Sequence, residues 1–565
     1  MRSIPQQTDG QKQGLGFALD MRWVRKVRRG LILCATFALL TPWLAAQAAS
    51  QLSGSVTDAS GASVSKAEVT LTEAATGFQR TTTSNASGLY QFLEVPPGDY
   101  KLEAAARGFA PFVVPKVTLV VKSTSTVNIK FQVAGGTTEV NVEGEAPLIN
   151  RTDATLGNVI EQAQIAELPI ADRNVTYLLS LQPGVAYLGG AAEANQATDT
   201  RSGAVNGVRS DQSNVTLDGI GVNDQNNGYA FTSVLNAPPD SVEEFRVTTA
   251  NSNADAGYSS GGQVSLVTKS GTNVFHASAY EYNRNTIFSA NDPFLKNSQL
   301  TSGQSNTAPK LLRNVFGVTV GGPILKNRLF FFANYEGRRD AEGSSQLRTV
   351  PSPTLRAGIL EYLCADPTQC PGGTVTGVDN KQYPVQAGYN GLNFTQIKGM
   401  DPLGIGVNQA VLALLNQYPA ANELSAGDGS NTLGFRFSPN VDRSFNTYIT
   451  RLDYHITSNG SETLFARGEM QNFKEPGPQQ FPGEPATTNL LDDSKGITVG
   501  LTSLLTPKLI NDFHWGFIRQ GQQYGGTSVY PGVFLSGIDS LVPFTRPTTA
   551  FVPNNQFSDS LSWTR

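Results

Sequence analysis

Hydrophobic and polar residues alternate over long stretches in the second half of the chain. In Asn314–Gly321, Phe316, Val318 and Val320 share one face, and Val315, Gly317, Thr319 and Gly321 share the other. Gly322-Pro323 ends the run, and Lys326-Asn327-Arg328 supplies a polar turn. Leu329–Glu336 then returns with Leu329, Phe331, Ala333 and Tyr335 on one side. Tyr448, Thr450, Leu452, Tyr454 and Ile456 oppose Ile449, Arg451, Asp453 and His455. Leu509, Phe513, Trp515 and Phe517 oppose Asp512, His514 and Gly516. A period of two puts alternate side chains on opposite faces of a strand. An apolar face for lipid and a polar face for a lumen is the signature of a membrane β-barrel. A soluble sandwich would alternate too, but strand length and aromatic ends favour the barrel. No run of about 20 apolar residues is present to make a spanning helix.

The first half is punctuated differently. Residues 49–133 read as a compact β-sandwich. Its short strands are Leu52–Val56, Ala67–Glu73, Phe78–Thr82, Leu89–Leu93, Tyr100–Ala105 and, in pieces, Val117–Val133. Asp58-Ala59-Ser60-Gly61, Asn85-Ala86-Ser87-Gly88 and Pro96-Pro97-Gly98-Asp99 are the turns between them, at the spacing of a sandwich. Residues 134–150 read as a linker that opens on Gly135-Gly136. In 151–273, Asp172-Arg173-Asn174 starts a helix over Val175–Leu181, which Gln182-Pro183-Gly184 ends. From about 274 the barrel pattern takes over.

Composition narrows the setting. Gly is abundant at 56 and charged residues make up only 16% of the chain, a turn-rich, β-leaning usage. Met21-Arg22-Trp23-Val24-Arg25-Lys26-Val27-Arg28-Arg29, the apolar Leu31–Leu40 and Ala46-Gln47-Ala48 form an export signal over residues 21–48. Residues 1–20 precede a second Met, so Met1 and Met21 are both candidate starts. Seven of the 42 Lys/Arg and two of the 46 Asp/Glu lie in the first 48 residues, leaving a net charge of −9. No basic stripe suggests nucleic acid. The histidines, 276, 455 and 514, sit on strand patterns and form no catalytic phrase, so no enzyme, metal or cofactor is expected. Asp218 to Asn227 lacks the alternating ligands and closing Glu of a calcium loop, and reads as a polar loop. Past the signal only Cys364 and Cys370 remain. Their close spacing favours a disulfide closing a small loop over a metal pair or two free thiols.

Two resemblances carry the functional expectation. Gly54-Ser55-Val56-Thr57-Asp58, Gly88-Leu89-Tyr90-Gln91-Phe92, Pro97-Gly98-Asp99-Tyr100 and Gly108-Phe109 resemble the carboxypeptidase regulatory-like domain, which implies a carbohydrate-binding-like fold without catalytic machinery. Val205-Asn206-Gly207-Val208-Arg209, Val215-Thr216-Leu217-Asp218-Gly219-Ile220, Val242-Glu243-Glu244-Phe245-Arg246-Val247 and Ser260–Asn273 resemble the plug of Oar-like TonB-dependent transporters. Phe275–Tyr282, Arg313–Gly317, Gly321-Gly322-Pro323 and Phe330–Gly337 resemble their barrel. The resemblance implies a mainly β protein of the cell outer membrane: sandwich, α+β plug, and the first strands of a 22-stranded barrel. Only seven or eight strand candidates occur in 274–565, and the chain stops within another at Leu561-Ser562-Trp563-Thr564-Arg565. An open edge in lipid leaves backbone groups unpaired, so a C-terminally truncated fragment is expected. The implied function is uptake of a large or scarce solute, a saccharide being favoured by the sandwich, through plug rearrangement. Adhesion through the sandwich is the alternative. The implied partners are a TonB-type energy-transducing protein, outer-membrane lipid and the solute. Thr138, Glu139, Val140, Asn141 and Val142 are the candidate TonB contact, by strand addition; an ordinary plug strand is the competing reading.

Overall fold

The computed structural model describes residues 50–563 except 134–139, 142–153, 169, 171–172, 188–202, 210–211, 225–232, 253–259, 292, 302–304, 344, 425, 458, 507, 527–532 and 543–544. The export signal and Thr138, Glu139 and Val142 therefore lie outside the described residues. No described helix is long and apolar enough to cross a membrane.

The sandwich is built from β1 (Ser50–Thr57), β2 (Glu68–Thr72), β3 (Gln79–Thr83), β4 (Leu89–Val95), β5 (Gly98–Ala105), β6 (Phe112–Leu119), β7 (Thr124–Thr126), β8 (Ile129–Lys130) and β9 (Val140–Asn141). One sheet runs β3-β2-β5-β6-β9, and the other pairs β1 with β4, β7 and β8. Alternate residues point inward, so Leu52, Val56, Val69, Leu71, Leu102 and Phe131 fill the space between the sheets. Each such side chain contributes roughly 1.5–3 kcal/mol by burial. The buried Tyr100 donates its hydroxyl to the Pro96 carbonyl at 2.8 Å, which satisfies the polar end of an otherwise apolar ring. Gly54 has no alternative: a Cβ there would lie 1.8 Å from the Val127 carbonyl oxygen.

The next layer is the plug. It comprises β10 (Leu156–Glu161), β11 (Val185–Tyr187), β12 (Gly203–Val205), β13 (Val208–Arg209), β14 (Asn214–Leu217), β15 (Ile220–Gly221), β16 (Val242–Ala250) and β17 (Gln263–Thr268). The main sheet is ordered β10-β16-β17-β14-β15. Val215, Leu217, Phe245, Val247, Val264 and Leu266 form its core. The expected helix at Val175–Leu181 is present but as a 3-10 helix, with Asn174 accepting from the Thr176 amide; Val175, Leu178 and Leu179 pack on the sheet. The short α-helix Gln162–Glu167 had no signal in the pattern, because it is too brief to show a period.

The barrel wall starts with β18 (His276–Asn285), β19 (Leu311–Leu325) and β20 (Leu329–Gly343). An excursion then carries β21 (Gln346–Pro351), β22 (Leu360–Leu363), β23 (Gly373–Thr376), β24 (Gln382–Val385), β25 (Tyr389–Leu392) and β26 (Thr432–Phe437). The wall resumes with β27 (Asn440–His455), β28 (Glu462–Pro476), β29 (Thr488–Asp492), β30 (Lys495–Thr506), β31 (Leu509–Gly526) and β32 (Thr548–Trp563). Both β29 and β30 pair with β28 on one side and β31 on the other, so they are two lengths of one strand broken at Asp493-Ser494. The described wall thus has eight antiparallel strands in one sheet. Strands of 15, 16 and 18 residues exceed the roughly 9–11 needed to cross a bilayer, so the wall projects beyond it. They are also longer than the alternation indicated, because their outer ends carry polar residues on both faces.

Turns at one rim are short: Lys326-Asn327-Arg328 joins β19 to β20, with Asn327 at φ +60, a conformation asparagine tolerates. Connections at the other rim are long, which places the short-turn rim on the periplasmic side. The sandwich meets that rim. Phe78 packs on His455 at 5.8 Å between centroids, and the Asn273 amide donates to the Ala75 carbonyl at 2.8 Å. Phe330, 0% exposed, lies on the lumen face and packs on His455 as well. The pattern assigned that face to polar residues; the sandwich and plug exclude water there, so an aromatic is buried instead. The lipid face behaves as read, with Val318, Val320, Tyr448, Leu452 and Phe513 exposed.

The outer excursion is a small folded unit. Helix Phe394–Met400 has a capping box from Asn393 and Gln396, and Val350, Tyr418 and Phe481 form a local core. Cys364 and Cys370 are joined by a disulfide that closes the turn after β22. Because this turn lies on the outer rim, a membrane-impermeant maleimide should label intact cells only after reduction. Labelling without reductant would show the bond is not formed in the cell.

Candidate functional site: the plug–wall interface

A tight turn, Asp218-Gly219, connects β14 to β15. Asp218 adopts a left-handed backbone at φ +49, which turns its carboxylate away from the sheet towards the barrel wall. One oxygen accepts the Thr268 amide at 2.9 Å and the other accepts the Thr268 hydroxyl at 2.8 Å. Two arginines of the wall complete the cluster. Arg451 of β27 reaches one Asp218 oxygen at 3.1 Å, and Arg467 of β28 reaches the other at 3.0 Å. Asp218 and Arg467 are only 2% and 1% exposed. Each arginine also holds a carboxylate of its own strand, Asp453 at 2.8 Å and Glu469 at 2.7 Å. Arg451 lies over the Phe465 ring at 4.7 Å, and Arg467 donates to Thr498 at 3.0 Å.

The charge balance matters. Without Asp218 the wall still has two cations facing two anions. Removing one partner of a buried pair costs roughly 3–5 kcal/mol when it leaves a lone buried charge. Here the wall is neutral by itself, and Asp218 would leave with its Thr268 hydrogen bonds. The contact is therefore strong in place yet separable.

Further contacts tie the plug to the wall. Arg173 pairs with Glu336 of β20 at 2.8 Å and with Asp240 of the plug, under the Tyr280 and Tyr282 rings. The Gln471 amide donates to the Val234 carbonyl at 2.9 Å and accepts from Asn236 at 3.1 Å. Gln556 of β32 accepts from the Gly221 amide at 2.9 Å and donates to its carbonyl at 2.6 Å. Ile518 of β31 joins the apolar core of the plug.

The sandwich is clasped to the plug through the backbone of one residue, Val121. The Glu244 carboxylate accepts the Val121 amide at 2.7 Å, and Arg246 donates to the Val121 carbonyl at 2.6 Å. Burial pushes the Glu244 carboxyl up to about 8, although the Val121 amide and Arg246 oppose the shift. Burial also raises the Glu73 and Glu94 carboxyls of the sandwich to about 7; Glu94 accepts from Ser562 of β32 at 3.0 Å.

Of the candidate TonB contact, only Val140 and Asn141 are described. They form β9, which runs parallel to β6 with Val140 opposite Phe112 and Asn141 opposite Val113, as an added strand at a sheet edge. Asp218 escaped the sequence reading. Its neighbourhood is rich in Asp, Asn and Gly and was read as a polar loop, whereas Asp218 itself is among the most buried carboxylates in the structure. The signal that could have found it was the pair of lumen-facing arginines, each of which keeps N–H donors to spare beyond its strand-mate carboxylate.

On the outer side of the plug lies a cavity of about 170 Å³, between the segment Ser233–Ala237 and strands β20, β27, β28, β29 and β31. Phe445 and Phe473 meet edge to face there at 5.1 Å. Gln520 lines it and donates to Asp224 at 2.8 Å.

Comparison with known proteins agrees with this architecture. Residues 267–564 match the family described as "Outer membrane beta barrel domain". Residues 150–264 match the "TonB-dependent Receptor Plug Domain", and residues 51–132 the "Carboxypeptidase regulatory-like domain". The chain is similar to the TonB-dependent transporter Oar of Myxococcus xanthus, with 28% identity over 271 residues, 46% of this chain and 24% of that protein. Among solved structures it is similar to the outer membrane transporter YddB of Escherichia coli, at TM-score 0.44 and 10% identity. It is also similar to a mutant ferric enterobactin receptor, PfeA, of Pseudomonas aeruginosa, at TM-score 0.39 and 10% identity. These likenesses cover 72% and 71% of this chain and 45% of each structure. The chain thus spans about a quarter of the curated relative and under half of the solved ones.

The raised carboxyls make the sandwich–plug junction pH-dependent. A glutamic acid whose folded pKa lies above its ordinary 4.5 holds its proton more tightly when folded. Its contribution is complete below about 4.5 and is lost as pH climbs through about 8. Thermal unfolding of the purified protein should therefore move to lower temperature from pH 5 to pH 8, and Glu244→Gln should flatten part of that slope. An unchanged slope in the variant would remove Glu244 from the account.

Proposed function

The chain belongs to the outer membrane beta barrel family, in the barrel-and-plug arrangement of TonB-dependent receptors, and resides in the outer membrane; from that premise we propose that it binds a solute at the outer face and passes it inward when the plug is moved from the periplasm. The observation that carries this reading is the neutral arginine–carboxylate array of the wall, which holds Asp218 but does not need it.

In this mechanism a TonB-type protein adds to the segment around Val140 by backbone hydrogen bonds and pulls. Among the described residues the first plug element beyond that segment is β10, an edge strand paired with β16. Of β10 only Ile160 is buried, so little apolar contact resists its removal. Loss of β10 loosens the sheet, and Asp218 withdraws from Arg451 and Arg467. A path opens along a wall whose charges remain paired. A saccharide, suggested by the sandwich, is the solute class within this proposal. Adhesion through the sandwich has less support, because Phe78, Glu94 and Val121 of that domain are engaged by the wall and plug.

Two variants test it. Asp218→Asn removes the charge but keeps the shape, and should weaken plug seating by about 1–3 kcal/mol, the scale of losing hydrogen bonds to a charged group. Cells carrying it should become more sensitive to a large hydrophilic antibiotic that the outer membrane normally excludes; unchanged sensitivity would deny Asp218 a sealing role. Val140→Pro removes one backbone donor and should abolish energised uptake while leaving solute binding intact. Full uptake by that variant would favour an ordinary structural strand at Val140–Asn141.

A further inference from the structure

On the outward face of β28, β30 and β31 the apolar band stops at a group of cations. Arg467, Glu469 and Gln471 of β28 face the lumen, so Gly468, Met470, Asn472 and Lys474 face out. In the neighbouring strands Ile497 lies opposite Gly468 and Phe517, and Lys495 lies opposite Met470 and Arg519. Met470 and Ile497 are 57% and 40% exposed and close the apolar band. Lys495 and Arg519 stand one step beyond Ile497 and Phe517, on the side of the rim with long connections. That side is the outer leaflet of the membrane. Lys474 lies two steps beyond Met470 on the same face. Both lysines are exposed.

Lys495 and Arg519 are therefore two like charges directly opposite each other, an arrangement that destabilises a sheet. A lysine alone could bend its stem towards water, but Arg519 is held at the band edge. It donates to the Asp493 carbonyl at 3.2 Å, and its guanidinium lies over the Phe551 ring at 5.2 Å. The acid beside the pair does not neutralise it: the Asp493 carboxylate accepts from Asn472 at 2.7 Å. Among the described residues, neither lysine nor Asp493 takes part in an ion pair. Three cations and one carboxylate leave this patch with a charge of about +2, next to surface that only a hydrocarbon chain would cover.

We propose that Lys495 and Arg519 bind the phosphate of an outer-leaflet lipid, whose acyl chains lie on Met470, Ile497 and Phe517 and whose headgroup reaches Asn472 and Lys474. Arginine offers phosphate a planar pair of donors, and lysine adds a point charge. A water-soluble anion would match the cations but leave the apolar residues below them uncovered. A neutral lipid would cover the apolar residues but leave the like-charge pair uncompensated. The site needs only the wall's place in the outer membrane, whatever solute the barrel carries.

The test uses the protein purified from outer membranes in a maltoside detergent and washed free of lipid. It is titrated with bisphosphorylated lipid A, with the same lipid after removal of its phosphates, and with inorganic phosphate. Native mass spectra report the bound fraction, and thermal unfolding reports stabilisation. The phosphorylated lipid should bind at least tenfold more tightly than its dephosphorylated form and should raise the unfolding temperature. Lys495→Gln should weaken that binding about fivefold, the worth of one basic residue beside an anionic surface. Without lipid, the same variant should unfold at the same temperature as the parent or higher, since it removes a repulsion; a lysine with a purely structural role would not behave so. Lys474→Gln, farther from the pair, should weaken binding less. Equal affinity for the dephosphorylated lipid, unchanged affinity in Lys495→Gln, or a lipid-free variant that unfolds at lower temperature would each overturn the assignment. So would equal stabilisation by inorganic phosphate, which would make the site one for a free anion. A dimer in the native spectra that is lost with the lysine substitutions would overturn it in favour of a second copy of the chain.

Discussion

Asp218 is a carboxylate almost sealed from water, held between two arginines that belong to a different part of the fold. Such a group persists only where cations and hydrogen-bond donors surround it, since an isolated buried ion is too costly. That requirement fixes much of the surrounding structure. Thr268 must lie beside the turn to supply two donors. Strands β27 and β28 must be neighbours with Arg451 and Arg467 in direct register. Asp453 and Glu469 must follow two residues later on the same lumen face, so that each arginine keeps a partner of its own. This contact, together with those of Glu336, Gln471 and Gln556, sets the depth at which the plug sits in the wall.

The layers on either side follow from the plug's position. The sandwich is fixed to β16 by the backbone N–H and carbonyl of Val121, and β16 is an interior strand of the plug sheet. The same strand therefore carries the sandwich on one side chain set and the apolar core on the other: Glu244 and Arg246 face the sandwich, whereas Phe245 and Val247 face the core. Period two in a strand allows both duties at once. The sandwich in turn reaches the short-turn rim, where Phe78 and Phe330 share His455.

The lipid face was legible in the sequence because lipid imposes one rule on every strand: the outward side is apolar whatever its neighbours are. Val318, Tyr448, Leu452 and Phe513 obey it. The lumen face has no single rule. Phe330 and Ile518 are apolar because sandwich or plug covers them, while Arg467 and Glu469 are charged because they have each other. Nothing local to these residues states which case applies. The fold class was read correctly, since strand punctuation and the resembling phrases are local properties. Asp218 was not found, because its burial is created by arginines more than two hundred positions away. The folded excursion between β20 and β27 was also invisible: its strands are four to six residues long, too short for a period to stand out from Gly- and Pro-rich sequence.

The two chemistries of the lumen are arranged on one short element. Asp218 lies at the turn between β14 and β15 and faces the paired arginines. Asp224 follows just after β15 and faces Gln520 on the outer side. Between them Ile220 packs against the space left by Gly516, where a Cβ would stand 2.6 Å from its methyl group, and Gln556 holds both polar atoms of Gly221. This segment is therefore gripped along its length by β31 and β32 and has little freedom to bend between its ends. Under the proposed mechanism, a displacement of Asp224 at one end is carried to Asp218 at the other through a few rigid backbone units. No long relay through the barrel is needed, because the two ends are joined by one short hairpin whose contacts with β31 and β32 hold it as a unit; coupling between sites is typically worth about 1–3 kcal/mol.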